Sequence, residues 1–325
     1  MRSPDDARTA LDPPTHFLEP DVLAALDRLA ALVEPLDGEF ARVAGTTVCL
    51  TSDDARERLA DELYRGWYTA SPSGVQPLLS PRWDGDLTSL LRAAHAGAEL
   101  FDPGWTVVSA APGGHCHVSK NGHGRSVQPG EYVSPLRPGA PPAPGERVDV
   151  VRRHDWTDEE TGFWCAQFLE EAPEAPFGRA YLNVAPGTVA PVLRAVTEAL
   201  ERDALPYSLK CPASAEAYDR VDSLVLYHGR DHEDRILALL TEVHGTIGSL
   251  LGPPVPPLTR RVAPGMAQAH DPKDGGSFGQ SRCRALAGGL LNALRGNTDR
   301  PRILASLVEG LHAAGIDPRT PWRTP

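Results

Sequence analysis

Long apolar runs are missing from this chain of 325 residues. None approaches the ~18 residues that suggest a membrane span, so no membrane partner is expected. The stretch Met1 to Pro14 is acidic and proline-rich, with no apolar segment, and no secretory signal is expected there. Cysteine is sparse: Cys49, Cys116, Cys165, Cys211 and Cys283 are odd in number and widely scattered. That pattern speaks against a disulfide framework and fits a reducing cytoplasm. A concentrated basic surface is also lacking, since the net charge is −11. Nucleic acid is therefore not an expected partner, although a local phosphate site stays open. Lysine is scarcest of the charged residues, with three against 32 for lysine and arginine together. Familiar motifs are absent too. No Gly-Lys-Ser/Thr follows Gly275-Gly276, no glycine-rich dinucleotide fingerprint follows a strand, and no Gly-x-Ser-x-Gly accompanies the His-Asp pairs at 154–155 and 270–271.

What is present is ordinary globular composition, 41% hydrophobic and 23% charged. Apolar residues at Val22, Leu23, Leu26, Leu29, Leu32 and Val33 repeat with helical period over Pro20 to Leu36. Ser52 to Trp67 and Asp86 to Leu100 read as two further helices, so residues 1–100 form a mainly helical region. From Phe101 the pattern turns to strands: Trp105 to Ala110, His115 to Lys120, Arg147 to Arg152 and Thr161 to Phe168. Arg179 to Val184, Tyr207 to Cys211 and Ser223 to Tyr227 are further strands. Val189 to Asp203, Asp231 to Leu251, Gln280 to Arg295 and Arg302 to Ala314 are helices. The expected class is α+β, a helical first region followed over 101–325 by a mostly antiparallel sheet with helices packed on it.

Chemistry concentrates between Arg179 and Tyr227. Alternation along a strand puts Arg179, Tyr181 and Asn183 on one face. Lys210 ends an apolar strand, Arg220 follows, and Tyr227 ends the next strand. Unpaired cations are too costly in a conventional core, so this face is either solvated or an anion site. Arg179, Arg220 and Arg282 are candidates to grip phosphate in two-pronged fashion, and Asn183 to contact substrate. Ser277 to Arg282 precedes a helix, where Ser277, Arg282 and backbone N–H groups suit an anion cradle or simply an ordinary helix cap. Lys120 and Arg125, beside the turn Asn121 to Gly124, either reach a phosphate or decorate a solvated hairpin. Three His and one Cys near His115-Cys116-His117 invite zinc, but their spacing completes no tetrahedral set, and no metal is expected.

The runs Arg-Ala-Tyr-Leu-Asn-Val (179–184), Pro-Tyr-Ser-Leu-Lys-Cys (206–211) and Arg-Val-Asp-Ser-Leu-Val-Leu-Tyr (220–227) resemble the HopA-type effector domain family. So do Pro-Gly-Met-Ala (264–267) and Ser-Phe-Gly-Gln-Ser-Arg-Cys (277–283), and the resemblance runs from about Phe101 to the end. Members are found as plant-pathogen effectors and in actinobacterial pathways to class V lanthipeptides and thioviridamide-like peptides. The resemblance implies a phosphotransferase-type kinase as partner and a phosphorylated precursor peptide as substrate, from which phosphate is eliminated to give dehydroalanine or dehydrobutyrine. More distantly the order of elements is similar to that of the bacterial phosphothreonine lyases. There a lysine takes the α-proton, a histidine protonates the leaving phosphate and arginines hold it.

Carried onto this chain, the resemblance makes Lys210 the base and Tyr227 a site-lining tyrosine. A lysine serves as base once its pKa falls from ~10.4, which burial and cationic neighbours achieve. The histidine position falls at Tyr181. Either Tyr181 is the donor, its ionisation lowered by nearby cations, or a histidine such as His117 or His270 comes in from elsewhere. No cofactor is required for two proton transfers. The helical first region would bind leader peptide or kinase, a homodimer is compatible with the reading, and a non-catalytic phosphopeptide- or kinase-binding partner or a secreted effector is the rival.

Overall fold

The computed structural model describes residues 17–71, 86–96, 101–151, 154–168, 175, 177–272, 276–295 and 299–324. Among the described residues the chain opens with α1 (Pro20–Ala31), whose proline sits in the first turn, where its missing N–H costs nothing. A small antiparallel sheet follows, β1 (Val33–Pro35), β2 (Phe40–Val43) and β3 (Thr46–Cys49). Strand pairing therefore begins inside the expected helix Pro20 to Leu36, and α1 ends five residues earlier than expected. Next come α2 (Ala55–Leu63), a single π-helical turn (Tyr64–Tyr68) and α3 (Leu87–Ala94), capped by Asp86 through Ser89 N–H. The last residues of the third expected helix, 97–100, lie outside the described ones.

Five strands then form a second antiparallel sheet: β4 (Phe101–Ala110), β5 (Cys116–Lys120), β6 (His123–Val127), β7 (Tyr132–Val133) and β8 (Arg147–Val151), ordered β6-β5-β4-β8-β7. Asn121 and Gly122, both with positive φ, make the tight turn between β5 and β6. This sheet keeps its own small core of Val107, Cys116, Val118, Val127, Val148 and Val150.

The largest sheet comprises β9 (Asp155–Asp158), β10 (Phe163–Gln167), β11 (Phe177–Leu182), β12 (Ser208–Pro212), β13 (Leu224–Gly229), β14 (Arg260–Ala263) and β15 (Met266–His270). Its order is β14-β15-β11-β13-β12-β10-β9, antiparallel throughout. Helices α4 (Val189–Arg202) and α5 (Glu233–Ile247) separate the strands; α6 (Phe278–Leu294) and α7 (Arg300–Ala313) follow them. Alternation gives each face its own core. Trp164, Ala166, Ala180, Leu182, Leu209, Leu224 and Leu226 point to the face covered by α3, α4 and α5. Tyr181, Val225, Ala267 and Ala269 point the other way, into a core shared with α1, α2, the π turn, α6 and α7. The first region is thus packed into the core beside the C-terminal helices.

Helices α6 and α7 touch at Gly289 and Gly310. A Cβ on Gly289 would be driven into the Ser306 carbonyl, and one on Gly310 would meet the Ala285 carbonyl. Gly289→Val is therefore expected to cost about 3 kcal/mol, because backbone has to move to make room; a urea melt of the variant measures it.

At the end of α3, His95 is buried beside Trp164, and its Nε2 lies 2.8 Å from the Tyr207 hydroxyl. That hydroxyl donates to Glu201, so it accepts from the imidazole, which is the neutral form. Burial holds the His95 pKa down, from 6.5 to about 4. An unfolded chain takes up this proton first, so stability is complete above about 6.5 and is lost as pH falls toward 4. The loss amounts to about 3 kcal/mol. His95→Gln is expected to flatten that part of the stability–pH curve, read from urea melts at pH 7 and 4.5.

Candidate active site

Register assembles the cationic face. Arg179 on β11 pairs with Tyr227 on β13 and Tyr181 with Val225. Lys210 on β12 lies opposite Val225, and Cys165 on β10 opposite Lys210. The period of two then puts Arg179, Tyr181, Tyr227, Lys210, Cys165 and Phe163 on a single face. The α6 end of this face is sealed. Tyr181 is 2% exposed and its ring centre lies 6.5 Å from that of Phe278. Toward β12 and β10 the cover thins, and Lys210, Tyr227, Phe163 and Cys165 are half-buried.

At that border cations and aromatic rings alternate. The Arg179 guanidinium carbon stands 4.8 Å from the centre of the Tyr227 ring. Lys210 Nζ is 5.8 Å from the same ring and 4.8 Å from that of Phe163. The Arg220 guanidinium carbon is 5.3 Å from Phe163. Contacts of this kind hold cations in place without neutralising them.

Two of these cations have counter-ions. Asp271, just past β15, pairs with Arg179 Nε, and the Gly276 carbonyl accepts from Arg179 Nη2 at 3.4 Å. Asp222 takes Arg220 in a fork, Nε at 2.6 Å and Nη2 at 2.9 Å. Among the described residues Lys210 has neither a hydrogen-bond partner nor a counter-ion. Its charge helps hold the Asp158 carboxyl below its usual range, behind the larger effect of hydrogen bonds from Thr161.

The N-terminal region reaches into the same place. The π turn closes with Thr69 N–H donating to the Tyr64 carbonyl, the wide register that π segments often lend to functional sites. It lies against the β2–β3 turn at Gly66, where a Cβ would collide with Ala44. The turn meets the loop before β13 twice: Val221 N–H donates to the Thr69 carbonyl at 2.8 Å, and Arg220 Nη2 donates to the Tyr64 hydroxyl at 3.3 Å. Tyr64 stacks on Tyr68, ring centres 5.5 Å apart. Burial, with the Asp222 charge behind it, raises the Tyr64 phenol above its ordinary range despite Arg220.

Five residues singled out in the sequence are therefore brought together: Lys210, Tyr227, Tyr181, Arg179 and Arg220. Four others have commitments elsewhere. Arg282, 2% exposed, donates to the Pro321 and Arg323 carbonyls and ties down the C-terminal segment. Lys120 sits in the five-stranded sheet, paired with Asp102 at 2.5 Å; neighbouring Arg125 donates to the Val151 carbonyl. Asn183 donates to the Pro254 carbonyl, holding the proline-rich connector after α5. Ser277 caps α6, accepting from Gln280 N–H at 3.1 Å.

Neither proposed histidine joins the cationic face. His270 pairs with Gly178, so it projects from the opposite face, where its Nε2 meets Glu233 at 3.1 Å. His117 belongs to β5, against Ser126. Tyr181 is present, but the lowered ionisation that would suit it as a donor is not found. Its burial outweighs Arg179 and pushes the phenol up.

Phe163, Tyr64 and Asp222 were not singled out in the sequence, and Asp271 was noted there only within the His-Asp pair at 270–271. Asp222 was readable in principle, two residues after Arg220 within a quoted motif. Tyr64 carries no local signal, since only the fold brings it to Arg220. Among the described residues no three His, Cys, Asp or Glu side chains gather as a metal set, and no helix is long and apolar enough to cross a membrane.

Comparison with known proteins gives three results. The profile of the HopA1 effector protein family matches residues 160–323. No curated protein matches. Two solved effector structures are similar. The effector protein from Pseudomonas syringae pv. tomato strain DC3000 is 20% identical with a TM-score of 0.41, over 51% of this chain and 65% of that one. The effector protein from Pseudomonas syringae pv. syringae strain 61 is 14% identical with a TM-score of 0.49, over 93% of this chain and 96% of that one.

Proposed function

This chain belongs to the HopA1 effector protein family, and we propose that it is a carbon–oxygen lyase acting on phosphoserine or phosphothreonine in a kinase-phosphorylated precursor peptide. The observation that carries this reading is a half-buried lysine with no counter-ion among the described residues, set between two arginines that are themselves held by carboxylates.

The reaction asks for two things at once. A base takes the α-proton of the phosphorylated residue, and the departing phosphate is held where its charge grows. The Lys210 amine, once it has given its own proton to solvent, takes the α-proton. The Cα–H electron pair becomes the Cα=Cβ bond as the Cβ–O bond breaks, leaving dehydroalanine from phosphoserine or dehydrobutyrine from phosphothreonine. Arg220 and Arg179 grip the phosphate, and their aspartates fix the guanidinium planes and offset their positive charge. Tyr227, whose ring centre is 4.8 Å from the Arg179 guanidinium and 5.8 Å from Lys210 Nζ, lines the site. Proton transfer and bond cleavage call for no redox group. The first region, packed against the same face, is assigned to hold the leader peptide or the kinase, a phosphotransferase-type partner.

Incubation of the full chain with a phosphothreonine peptide tests this. Release of inorganic phosphate together with ultraviolet absorbance of a conjugated dehydroamino acid is the expected result. Phosphopeptide binding without either signal, with the kinase present, would make the chain a binding partner instead.

A further inference from the structure

We infer that Tyr64, from the N-terminal π turn, is the group that protonates the phosphate as it leaves. The inference deepens the lyase reading and rests on it. When an alkyl phosphoester eliminates, charge develops on the bridging oxygen, and a positioned proton donor lowers that barrier. Among the described residues the histidines His117 and His270 are elsewhere, and Tyr181 is sealed beneath Phe278.

Tyr64 has the geometry the role needs. Its oxygen accepts from Arg220 Nη2, so its own hydrogen is directed elsewhere and remains free to donate. Arg220 spends Nε and Nη2 on Asp222. Its Nη1 has no hydrogen bond to a described residue and is left for phosphate. A phosphate oxygen taken up there comes close to the Tyr64 hydroxyl, which shares the adjacent nitrogen. The ring cannot drift, because it stacks on Tyr68 and its turn is tied to the Arg220 loop through Val221 and Thr69. Being pushed upward by burial, the phenol stays protonated at neutral pH, as a donor must. In the step itself Lys210 gains the α-proton, the phosphate leaves with the Tyr64 proton, and solvent returns a proton to the phenolate.

The test is Tyr64→Phe, which keeps the ring and its stacking and removes only the hydroxyl. Elimination from a phosphothreonine peptide and the dissociation constant of that peptide are measured on the same protein. The expected result is a rate lower by about 10²- to 10⁴-fold with affinity changed less than about 3-fold, because Arg220 keeps its Asp222 fork. An unchanged rate overturns the inference. So does a parallel fall in rate and affinity, which would mean that the hydroxyl only positions Arg220. If the wild-type chain eliminates nothing, the lyase reading itself fails; if the wild type is active and Tyr64→Phe equally so, only the donor assignment fails.

Discussion

Lys210→Ala is expected to slow elimination by about 10²- to 10⁴-fold, the range that a positioned general base supplies, and to leave the fold intact. The fold survives because Lys210 makes no hydrogen bond or ion pair to a described residue, and its Nζ is held only over the rings of Phe163 and Tyr227. Phosphopeptide affinity is expected to fall by far less, since Arg179 and Arg220 remain. Lys210→Arg serves as the control. It keeps the charge between the rings but replaces a group that can give up its proton with one that cannot, so it should bind and not turn over. Recovery of activity in Lys210→Arg would show that charge alone, not proton abstraction, is what position 210 contributes.

Asp271→Ala is expected to have the largest effect on stability, about 3–5 kcal/mol. Arg179 is 6% exposed and pinned against Tyr227, so removing its carboxylate leaves a buried guanidinium that keeps its charge and lacks its counter-ion. What distinguishes a phosphate site from a structural ion pair is the rescue. If Arg179 faces the phosphate of the substrate, inorganic phosphate or phosphopeptide fills the role of the lost carboxylate, and ligand binding to the folded state raises its stability. Thermal melts of wild type and Asp271→Ala, each with and without phosphate, should show a larger upward shift in the variant. Equal shifts would place Arg179 in the scaffold rather than in the site.

Much of this was legible before the fold was known, for identifiable reasons. Helix α4 carries a clear helical period, with Val189, Val192, Leu193, Val196 and Leu200 buried, and β11 alternates in residue type, small or apolar Gly178, Ala180 and Leu182 against Arg179 and Tyr181. Lys210 stood out because lysine is rare here and this one ends an apolar strand. The short strands β1 to β3 were hidden by their length, three or four residues each with much exposed side chain, too few for alternation to register. Strand β15 was hidden for the opposite reason: all five of its residues are buried, polar Gln268 and His270 among them, so nothing alternates. At the site, Arg179 and Arg220 were found by type, but their fixing partners Asp271 and Tyr64 lie 92 and 156 residues away in the chain. Only the packing of α2 and its π turn on α6 reveals Tyr64. Arg282 shows the limit of reading by type, because an arginine beside a helix start suits an anion cradle and a tether for backbone carbonyls equally well.

The most direct measurement is the intact mass of a phosphothreonine peptide after incubation with the full chain and its kinase. A product lighter by phosphoric acid, about 98 Da, is what proton abstraction and phosphate departure require. A peptide that returns to its unphosphorylated mass would mean hydrolysis, and a peptide of unchanged mass would mean binding without chemistry; either contradicts the account.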